Sequence, residues 1–421
     1  MLSHEESTIL RKHREMAFAM PLESINPARI ELFEAGVVQP YFERLRRDDP
    51  VHYTAHHEFG PYWSITKHAD FLAVSADYAA FSSEGGVSIV SGGSIDGVFP
   101  MFMAMDPPDH AVRRRTVMPA FTGSAVDSLE HLIRKRAATI LDSLPVGEEF
   151  DWMDRVAIEL SSMTIATLFD FPQEHRRQVI HWLNCAISPI GANQLVKTHD
   201  EKVSVLTEFN NYFTTLWNRR VNAPPAGDLI SLLAHGETTR AMGPKEFFGT
   251  IMLLIGAGQN TTQNAIGGSL LGLNLFPEEY KRLRADDSLV PEMISEAIRW
   301  QSPLAHARRT ALVDTEIRGR KIRKGDKVIL WFLSANHDEE IYPNPGNFEI
   351  GRKFSTIPTT FGHGIHRCVG NRLAEMQLRV LWEEILKRFP EIIVVEEPVR
   401  LPTTYIAGYR SMKTVIPTRK N

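Results

Sequence analysis

The clearest signal in the chain is the segment Phe361-Gly362-His363-Gly364-Ile365-His366-Arg367-Cys368-Val369-Gly370. Its three glycines let a backbone bend tightly and approach a flat molecule without obstruction by side chains. The segment also holds one of only two cysteines in the 421-residue chain, the other being Cys185. This combination predicts a loop that brings Cys368 close to a flat cofactor.

The residues after Cys368 have the spacing of an amphipathic helix that Pro390 ends. Its apolar stripe consists of Leu373, Met376, Val380 and Leu381. We therefore expect Cys368 to open this helix, where the helix dipole and the free backbone N–H groups stabilise a thiolate. The alternative is an inert, buried cysteine at a helix start, and the spacing of the whole segment argues against it.

The segment resembles the heme-binding loop of the cytochromes P-450, Phe-Gly-x-Gly-x-His-x-Cys-x-Gly, and it matches every fixed position. The resemblance implies a heme b cofactor (iron protoporphyrin IX) with Cys368 as the axial ligand of the iron. It also implies that His366 contacts a heme propionate. By the same resemblance, Phe361, Gly362 and Gly370 belong to the cofactor-binding loop.

A second match to the family is Glu296-Ala297-Ile298-Arg299, the Glu-x-x-Arg motif. Residues three apart share a helix face, so the acid and the guanidinium can pair. By itself such a pair is typical of a protein surface. The resemblance implies instead a buried structural pair behind the heme, completed by the loop that contains residues 344–348.

A third match is Asp106-Pro107-Pro108-Asp109-His110, followed by Arg113-Arg114-Arg115. His110 and Arg114 are four apart on one helix face, so both can reach one carboxylate. The resemblance adds Arg309 as a further propionate ligand. Charge-assisted hydrogen bonds from such basic groups offset the cost of burying the heme carboxylates. A solvated basic face is the better interpretation for Arg113 and Arg115.

A fourth match is Ala257-Gly258-Gln259-Asn260-Thr261-Thr262, inside an apolar helix. The family places its oxygen-activating threonine at Thr261, and Ala257 is expected beside the heme. Glycine and paired threonines are poor helix formers, so we expect a local opening of the helix there. The alternative is close helix packing at Gly258. Asn260 departs from the acidic residue usual in the family and cannot cycle a proton as a carboxylate does.

The fold expected from these matches is mainly α with a small β region, the cytochrome P-450 fold, as a single catalytic domain over residues 1–421. Helical periodicity dominates from about residue 123 to residue 302. Short β-branched runs predict strands at 51–53, 62–65, 316–317, 328–330 and 392–395.

Composition narrows the class of protein. The net charge is −4 and the chain has no long basic run, so no nucleic-acid partner is expected. The charged N-terminus lacks the apolar stretch of a signal peptide, and the run from Ile251 to Ile255 is too short for a transmembrane anchor. Two distant cysteines are typical of a reducing compartment. We therefore expect a cytoplasmic protein.

Several stretches resemble the bacterial alkane terminal-hydroxylase branch of the family, among them residues 104–108, 166–172, 299–306 and 368–379. The chain departs from that branch at residues 257–264 and 403–409. The resemblance implies terminal hydroxylation of a medium-chain fatty acid or alkane, with fatty acids of lauric length as the first expectation. The residues expected to line the substrate pocket are Ile89, Val90, Phe99, Leu254, Ala257, Leu304, Thr404, Tyr405 and Ile406.

The family resemblance also implies partners. They are O2, a hydrophobic small molecule, and an iron–sulfur ferredoxin supplied by an NAD(P)H-dependent ferredoxin reductase. Arg113, Arg115, Arg367 and Arg372 are candidates for the ferredoxin-docking surface. Two other functions stay open. One is a non-hydroxylating heme-thiolate enzyme (a dehydratase, an isomerase or an oxidative coupling enzyme), prompted by Asn260. The other is a heme-based sensor, against which the retained Thr261 argues.

Overall fold

The computed structural model of the chain describes residues 8–89, 99–188, 190–191, 194–354 and 358–420. Within them, the α-helices in chain order are α1 (Thr8–Ala19), α2 (Ile30–Glu34), α3 (Gln39–Asp48), α4 (His68–Ala76), α5 (Asp109–Val117), α6 (Gly123–Asp142), α7 (Glu159–Phe169), α8 (Arg176–Ile187), α9 (His199–Val221), α10 (Leu229–His235), α11 (Pro244–Leu275), α12 (Pro277–Ala285), α13 (Val290–Gln301), α14 (Phe332–Ala335) and α15 (Asn371–Arg388). A π-helix, Met153–Ile158, leads directly into α7.

The strands of the described residues are short. They are β1 (Val51–Thr54), β2 (Tyr62–Ile65), β3 (Phe81–Ser82), β4 (Glu149–Asp151), β5 (His306–Ala311), β6 (Thr315–Ile317), β7 (Arg320–Ile322), β8 (Lys327–Trp331), β9 (Ile393–Val394), β10 (Val399–Arg400), β11 (Tyr409–Ser411) and β12 (Lys413–Val415). Five of them form one sheet in the order β1-β2-β8-β5-β3, in which β2 and β8 run parallel. Arg308 pairs with Ile329 and Arg309 with Val328, so these two arginines point to opposite faces of the sheet.

Helix α11 passes through the main hydrophobic core. It begins with Pro244, whose fixed φ suits a first helical turn, and carries Glu246 where the helix dipole favours an acid. Its 32 residues span about 48 Å. Most side chains between Phe247 and Leu273 are buried, whereas Ala257 is exposed. The helix therefore has an accessible place near its middle.

The structure confirms most of the elements predicted from the sequence. Helices occupy most of the described chain from Gly123 to Gln301, and every predicted strand region contains a strand. Two expectations are wrong in detail. The last long helix begins at Asn371 rather than at Cys368, because Gly370 adopts a non-helical conformation. Helix α11 is continuous through residues 257–262, without the expected opening.

Among the residues that the structure describes, no helix combines the length and the apolar composition needed to span a bilayer.

Candidate active site

The cysteine loop has the backbone geometry that its glycines predict. Gly362 and Gly364 have φ values of +72° and +67°, which L side chains rarely adopt. A Cβ on Gly364 would also lie 2.6 Å from the carbonyl oxygen of Ser75. The Cys368 N–H donates to the carbonyl oxygen of Phe361 at 2.7 Å and closes the loop. Backbone bonds thus fix the position of Cys368.

The Cys368 thiol combines accessible surface with an interior position. Its surface is accessible, yet surrounding protein removes enough hydration to raise the pKa of the thiol. Three groups act in the opposite direction and favour a thiolate: the backbone N–H of Gly370 and the positive charges of Arg114 and Arg367. A thiol in this setting is a suitable ligand for a metal that displaces its proton.

Four basic side chains predicted from the sequence come together near this thiol: His110, Arg114, Arg309 and His366. The rings of His110 and His366 have centroids 4.2 Å apart. His366 Nε2 lies 2.9 Å from the hydroxyl of Ser83. Arg114 is close enough to Cys368 for their charges to interact. The structure thus brings residues from α5, β5 and the cysteine loop into one cluster.

The pKa values of this cluster show how little negative charge accompanies it. Burial lowers the pKa of Arg309 to about 10, and only Asp106 opposes the shift. Burial, together with repulsion from nearby arginines, lowers the pKa of His110 to about 4 and that of His366 to about 2. Asp106 itself accepts bonds from the Ser82 hydroxyl and the Ser83 N–H. The cluster therefore suits a ligand with its own buried anionic groups.

Heme fits this donor set. A thiol sulfur with accessible surface is the soft donor that an iron porphyrin takes as its axial ligand. The surplus of basic groups around Arg309 matches the two propionates of heme, since charge-assisted hydrogen bonds offset the cost of burying carboxylates.

The middle of α11 presents two different faces. Ala257 is exposed and Thr261 is half-buried, and the Thr261 hydroxyl donates to the Ala257 carbonyl oxygen at 2.7 Å. Gln259 is fully buried, and its amide donates to Ser161 of α7 at 2.8 Å and to Gln263 at 2.9 Å. The Gln259 and Gln263 side chains therefore lie on the face of α11 that packs against α7, away from Ala257 and Thr261.

Two further residues of this stretch hold α11 in place. A Cβ on Gly258 would lie 2.5 Å from Cδ1 of Ile165 in α7, so this glycine permits close helix packing, as the alternative interpretation expected. Asn264 donates to the Asn260 carbonyl oxygen at 2.7 Å and accepts from the Tyr409 N–H at 2.8 Å. The region of α11 next to Thr261 is therefore tied both to α7 and to the C-terminal segment.

Glu296 and Arg299 form the buried pair that the motif predicts, and both are 0% exposed. Two Arg299–Glu296 hydrogen bonds measure 2.8 and 2.7 Å. Arg299 also donates to the carbonyl oxygens of Pro345 and Asn347, in the loop expected to complete the pair. Arg352 adds a third bond to the carboxylate, at 3.1 Å.

A model of the cytochrome P450 family matches residues 100–404. This chain belongs to the cytochrome P450 family. Two curated relatives, each 31% identical, are linalool 8-monooxygenase of Pseudomonas putida and methyl-branched lipid omega-hydroxylase of Mycobacterium tuberculosis strain H37Rv. The first match covers 92% of this chain and 97% of the relative, and the second covers 88% and 89%.

Solved structures give the same result for the fold. Cytochrome P450-153 from Novosphingobium aromaticivorans is 38% identical, with a TM-score of 0.85 over 93% of this chain and 99% of that chain. CYP153D17 from Sphingomonas sp. PAMC 26605 is 41% identical, with a TM-score of 0.85 over 92% and 98%. The chain is therefore a P450 monooxygenase with the P450 fold and a heme b cofactor.

The residues predicted to line the substrate pocket of this P450 differ in accessibility. Ala257 is exposed, Phe99, Leu304 and Tyr405 are half-buried, and Leu254, Thr404 and Ile406 are buried. The rings of Phe99 and of Phe248 in α11 pack together, with their centroids 4.4 Å apart. Leu304 forms an antiparallel bridge with Ile406, which brings the segment before β5 against the C-terminal segment.

Two of the predicted pocket residues need separate mention. Val90 lies outside the described residues. The Ile89 side chain is only 2% exposed and belongs to the same hydrophobic cluster as Ile329 and Trp331. This side chain therefore packs within a buried cluster, and its place in the substrate pocket of the P450 stays a prediction.

The four arginines proposed to dock a ferredoxin on this P450 differ in their exposure to solvent. Arg113 donates to Glu246 of α11 at 2.5 Å, and both side chains are about one-fifth exposed. Arg113 therefore links α5 to α11 and is not a free surface charge. Arg115, Arg367 and Arg372 are exposed.

Sequence reasoning missed several residues that complete the site of this P450. Ser82 and Ser83 lie far from Asp106 in the sequence, and their bonds to it depend on the folded chain. Arg352 carries no local motif. The sequence pattern also gave no separate role to His306, which is fully buried and hydrogen-bonded through both ring nitrogens.

Proposed function

We propose that this P450 hydroxylates the terminal carbon of a medium-chain fatty acid or alkane, as a single catalytic domain fed by a ferredoxin. The main support is the accessible face of α11 at Ala257 and Thr261. The other residues expected to line the pocket are uncharged, among them Leu254, Leu304 and Ile406. Such a surface suits a hydrocarbon chain. The name of one relative, a methyl-branched lipid omega-hydroxylase, is consistent with terminal oxidation.

When bound, heme supplies the oxygen chemistry, and the protein supplies binding, orientation and protons. We assign Cys368 as the thiolate ligand and His110, Arg114, Arg309 and His366 as the groups that hold the propionates. The Gly370 N–H and nearby arginine charges stabilise the sulfur as a thiolate.

Proton delivery is assigned to Thr261 together with ordered water. The Thr261 hydroxyl donates to the Ala257 carbonyl oxygen. The lone pairs of the hydroxyl oxygen can therefore accept a hydrogen bond from a water molecule on the accessible side. Rotation about the Cβ–Oγ1 bond redirects its proton to that side. Gln259 and Gln263 are not assigned to this path, because the Gln259 amide donates to Ser161 and to the side-chain oxygen of Gln263.

Turnover of dodecanoic acid with O2, NADH, a ferredoxin and its reductase tests the proposed function. Each molecule of O2 gives one oxygen atom to the substrate and one to water, with two electrons from NADH. We expect the terminal alcohol as the main product. A different class of product from the same mixture would reject the assignment of terminal hydroxylation.

Two substitutions in α11 test the proton path. Thr261→Ala removes the hydroxyl, so peroxide released per NADH oxidised is expected to rise, and product formation to fall by about 10²-fold. Asn260→Asp supplies the titratable group that is usual in the family, and coupled turnover is expected to stay equal or to increase. Thr262→Ala is the matched control, since Thr262 is buried next to Thr261.

A second candidate function is connected to Asn260. If Asn260→Asp abolished turnover while the protein stayed folded and heme-loaded, the amide would be a specific adaptation. The non-hydroxylating functions, dehydration, isomerisation or oxidative coupling, would then be favoured over terminal hydroxylation.

The position of oxidation on the substrate tests whether the segment Thr404–Ile406 forms a wall of the substrate pocket. A terminal methyl is less reactive than the methylenes beside it, so terminal oxidation requires steric selection. Tyr405→Ala and Ile406→Ala are expected to move oxidation inward along a fatty acid, as measured by product analysis. Tyr53→Ala, at a residue 43% exposed on β1, is the control for loss of a tyrosine ring. Unchanged product ratios in both wall variants would reject this role of the segment.

Electron supply is proposed to use the exposed basic residues Arg115, Arg367 and Arg372. Positive surface charge attracts an acidic partner and accelerates its association at low salt. Arg113 is omitted from this surface because of its bond to Glu246.

A further inference from the structure

His306 lies at the first position of β5 and connects three segments of the chain. Its Nε2 accepts the backbone N–H of Ile89 at 3.0 Å, and its Nδ1 lies 2.9 Å from the carbonyl oxygen of Thr404. Both contacts are long-range in sequence, and the side chain is fully buried. One imidazole therefore joins the chain at Ile89, the start of β5 and the C-terminal segment.

The hydrogen bonds define which nitrogen of His306 carries the proton. The backbone N–H of Ile89 is a donor, so Nε2 must be the acceptor. Nδ1 then carries the proton and donates to the Thr404 carbonyl oxygen. Burial lowers the pKa of His306 to about 4, so the ring stays neutral near neutral pH. Phenylalanine at this position would satisfy neither backbone group.

Aromatic packing fixes the orientation of the His306 ring. The ring of Trp331 meets it edge-on at a centroid distance of 5.0 Å, and that of Tyr405 does so at 5.3 Å. Tyr405 is itself one of the proposed wall residues. The orientation of His306 and the position of Tyr405 are therefore coupled by direct contact.

The segments joined by His306 are those proposed to shape the substrate pocket. The Ala305 N–H donates to the Tyr405 carbonyl oxygen at 2.9 Å, beside the bridge between Leu304 and Ile406. On the other side, the ammonium of Lys327 donates to the Ile89 carbonyl oxygen at 3.1 Å. The Ile89 backbone is thus held at both its N–H and its carbonyl group.

We propose that His306 is a positioning residue for regioselectivity, which sets the spacing between the Ile89 backbone and the Thr404–Ile406 wall. The inference rests on the proposed function, because it concerns the walls of the same pocket. Its action is indirect: the imidazole holds backbone groups, and those segments limit how far a substrate chain can advance. The substrate class it serves is an unbranched hydrocarbon chain whose carbons differ only in position.

The test compares His306→Phe, His306→Asn and His306→Gln in the full-length, heme-loaded protein. Phenylalanine removes both hydrogen bonds, whereas each amide keeps a donor and an acceptor. With dodecanoic acid, His306→Phe is expected to lower the ratio of terminal to subterminal alcohol about tenfold, the lower range for discrimination of one methylene. At least one amide variant is expected to restore part of the ratio.

A second measurement does not depend on turnover. Hydrogen exchange of the Ile89 backbone amide is expected to lose protection in His306→Phe, because the amide loses its acceptor. His337→Phe is the matched control, since His337 is also a buried histidine but bonds Leu333 and Gln39 instead. It should lower stability and leave both the alcohol ratio and Ile89 exchange unchanged.

The outcomes separate the inference from the proposed function. If the wild-type protein makes no terminal alcohol, terminal hydroxylation fails, and the role of His306 is then tested on the carbons that are oxidised. A wild-type product ratio in His306→Phe overturns the inference. So does an equal shift in His337→Phe, which would show that general destabilisation moves the product ratio.

Discussion

Replacing Cys368 by serine is expected to abolish the red-shifted Soret band of the reduced carbon monoxide complex from which the family takes its name. A serine hydroxyl, neutral or ionised, does not supply the polarisable sulfur that gives this spectrum. The loop itself should persist, because its geometry depends on glycines and on the bond from residue 368 N–H to the Phe361 carbonyl oxygen. The measurement is the carbon monoxide difference spectrum of purified protein.

Cys185→Ser is the matched control. Cys185 lies buried in α8, with its sulfur 3.6 Å from His181 Nε2. Loss of this thiol should leave the spectrum unchanged. If the spectrum depended on Cys185 and survived the loss of Cys368, the ligand assignment would be wrong.

Glu296→Gln is expected to lower the free energy of unfolding by roughly 3–5 kcal/mol, the usual effect of leaving a buried charge without its partner. The substitution is nearly isosteric, so little volume changes. It leaves Arg299, which is 0% exposed, without a compensating carboxylate, whereas Arg352 keeps its ion pair with Glu349. Chemical denaturation monitored by circular dichroism measures the loss, and heme content per chain should fall with it.

Glu278→Gln is the control for that change. Glu278 pairs with Lys281 at the same i,i+3 spacing, but their side chains are 84% and 74% exposed. Exposed pairs of this kind contribute little, so no measurable loss is expected. Similar stabilities for the Glu296→Gln variant and the wild-type protein would show that the pair is not a structural requirement.

The sequence was informative where consecutive residues form one structure. The glycines and Cys368 lie in one segment, so their joint geometry could be predicted locally. Glu296 and Arg299 share one helical turn, and their pairing followed from that spacing. In both cases the spacing of the residues predicted the contact without knowledge of the tertiary packing.

The sequence was less informative where contacts join distant segments. No local pattern shows that Arg113 meets Glu246, that Arg352 reaches Glu296, or that His306 accepts the Ile89 N–H. The sequence likewise did not show that the Ile89 side chain joins a buried cluster with Ile329 and Trp331. The same limit applied to Gln259, whose partner Ser161 belongs to another helix.

The basic cluster around Arg309 has a consequence for the life of the protein in the cell. His110, Arg114, Arg309 and His366 come together with little acidic compensation, so a newly made chain must hold these groups close before any cofactor arrives. Anything that binds the folded chain and not the unfolded chain stabilises it by mass action. Chains made when heme is scarce should therefore be less stable than heme-loaded chains, and more of them should be open to proteolysis.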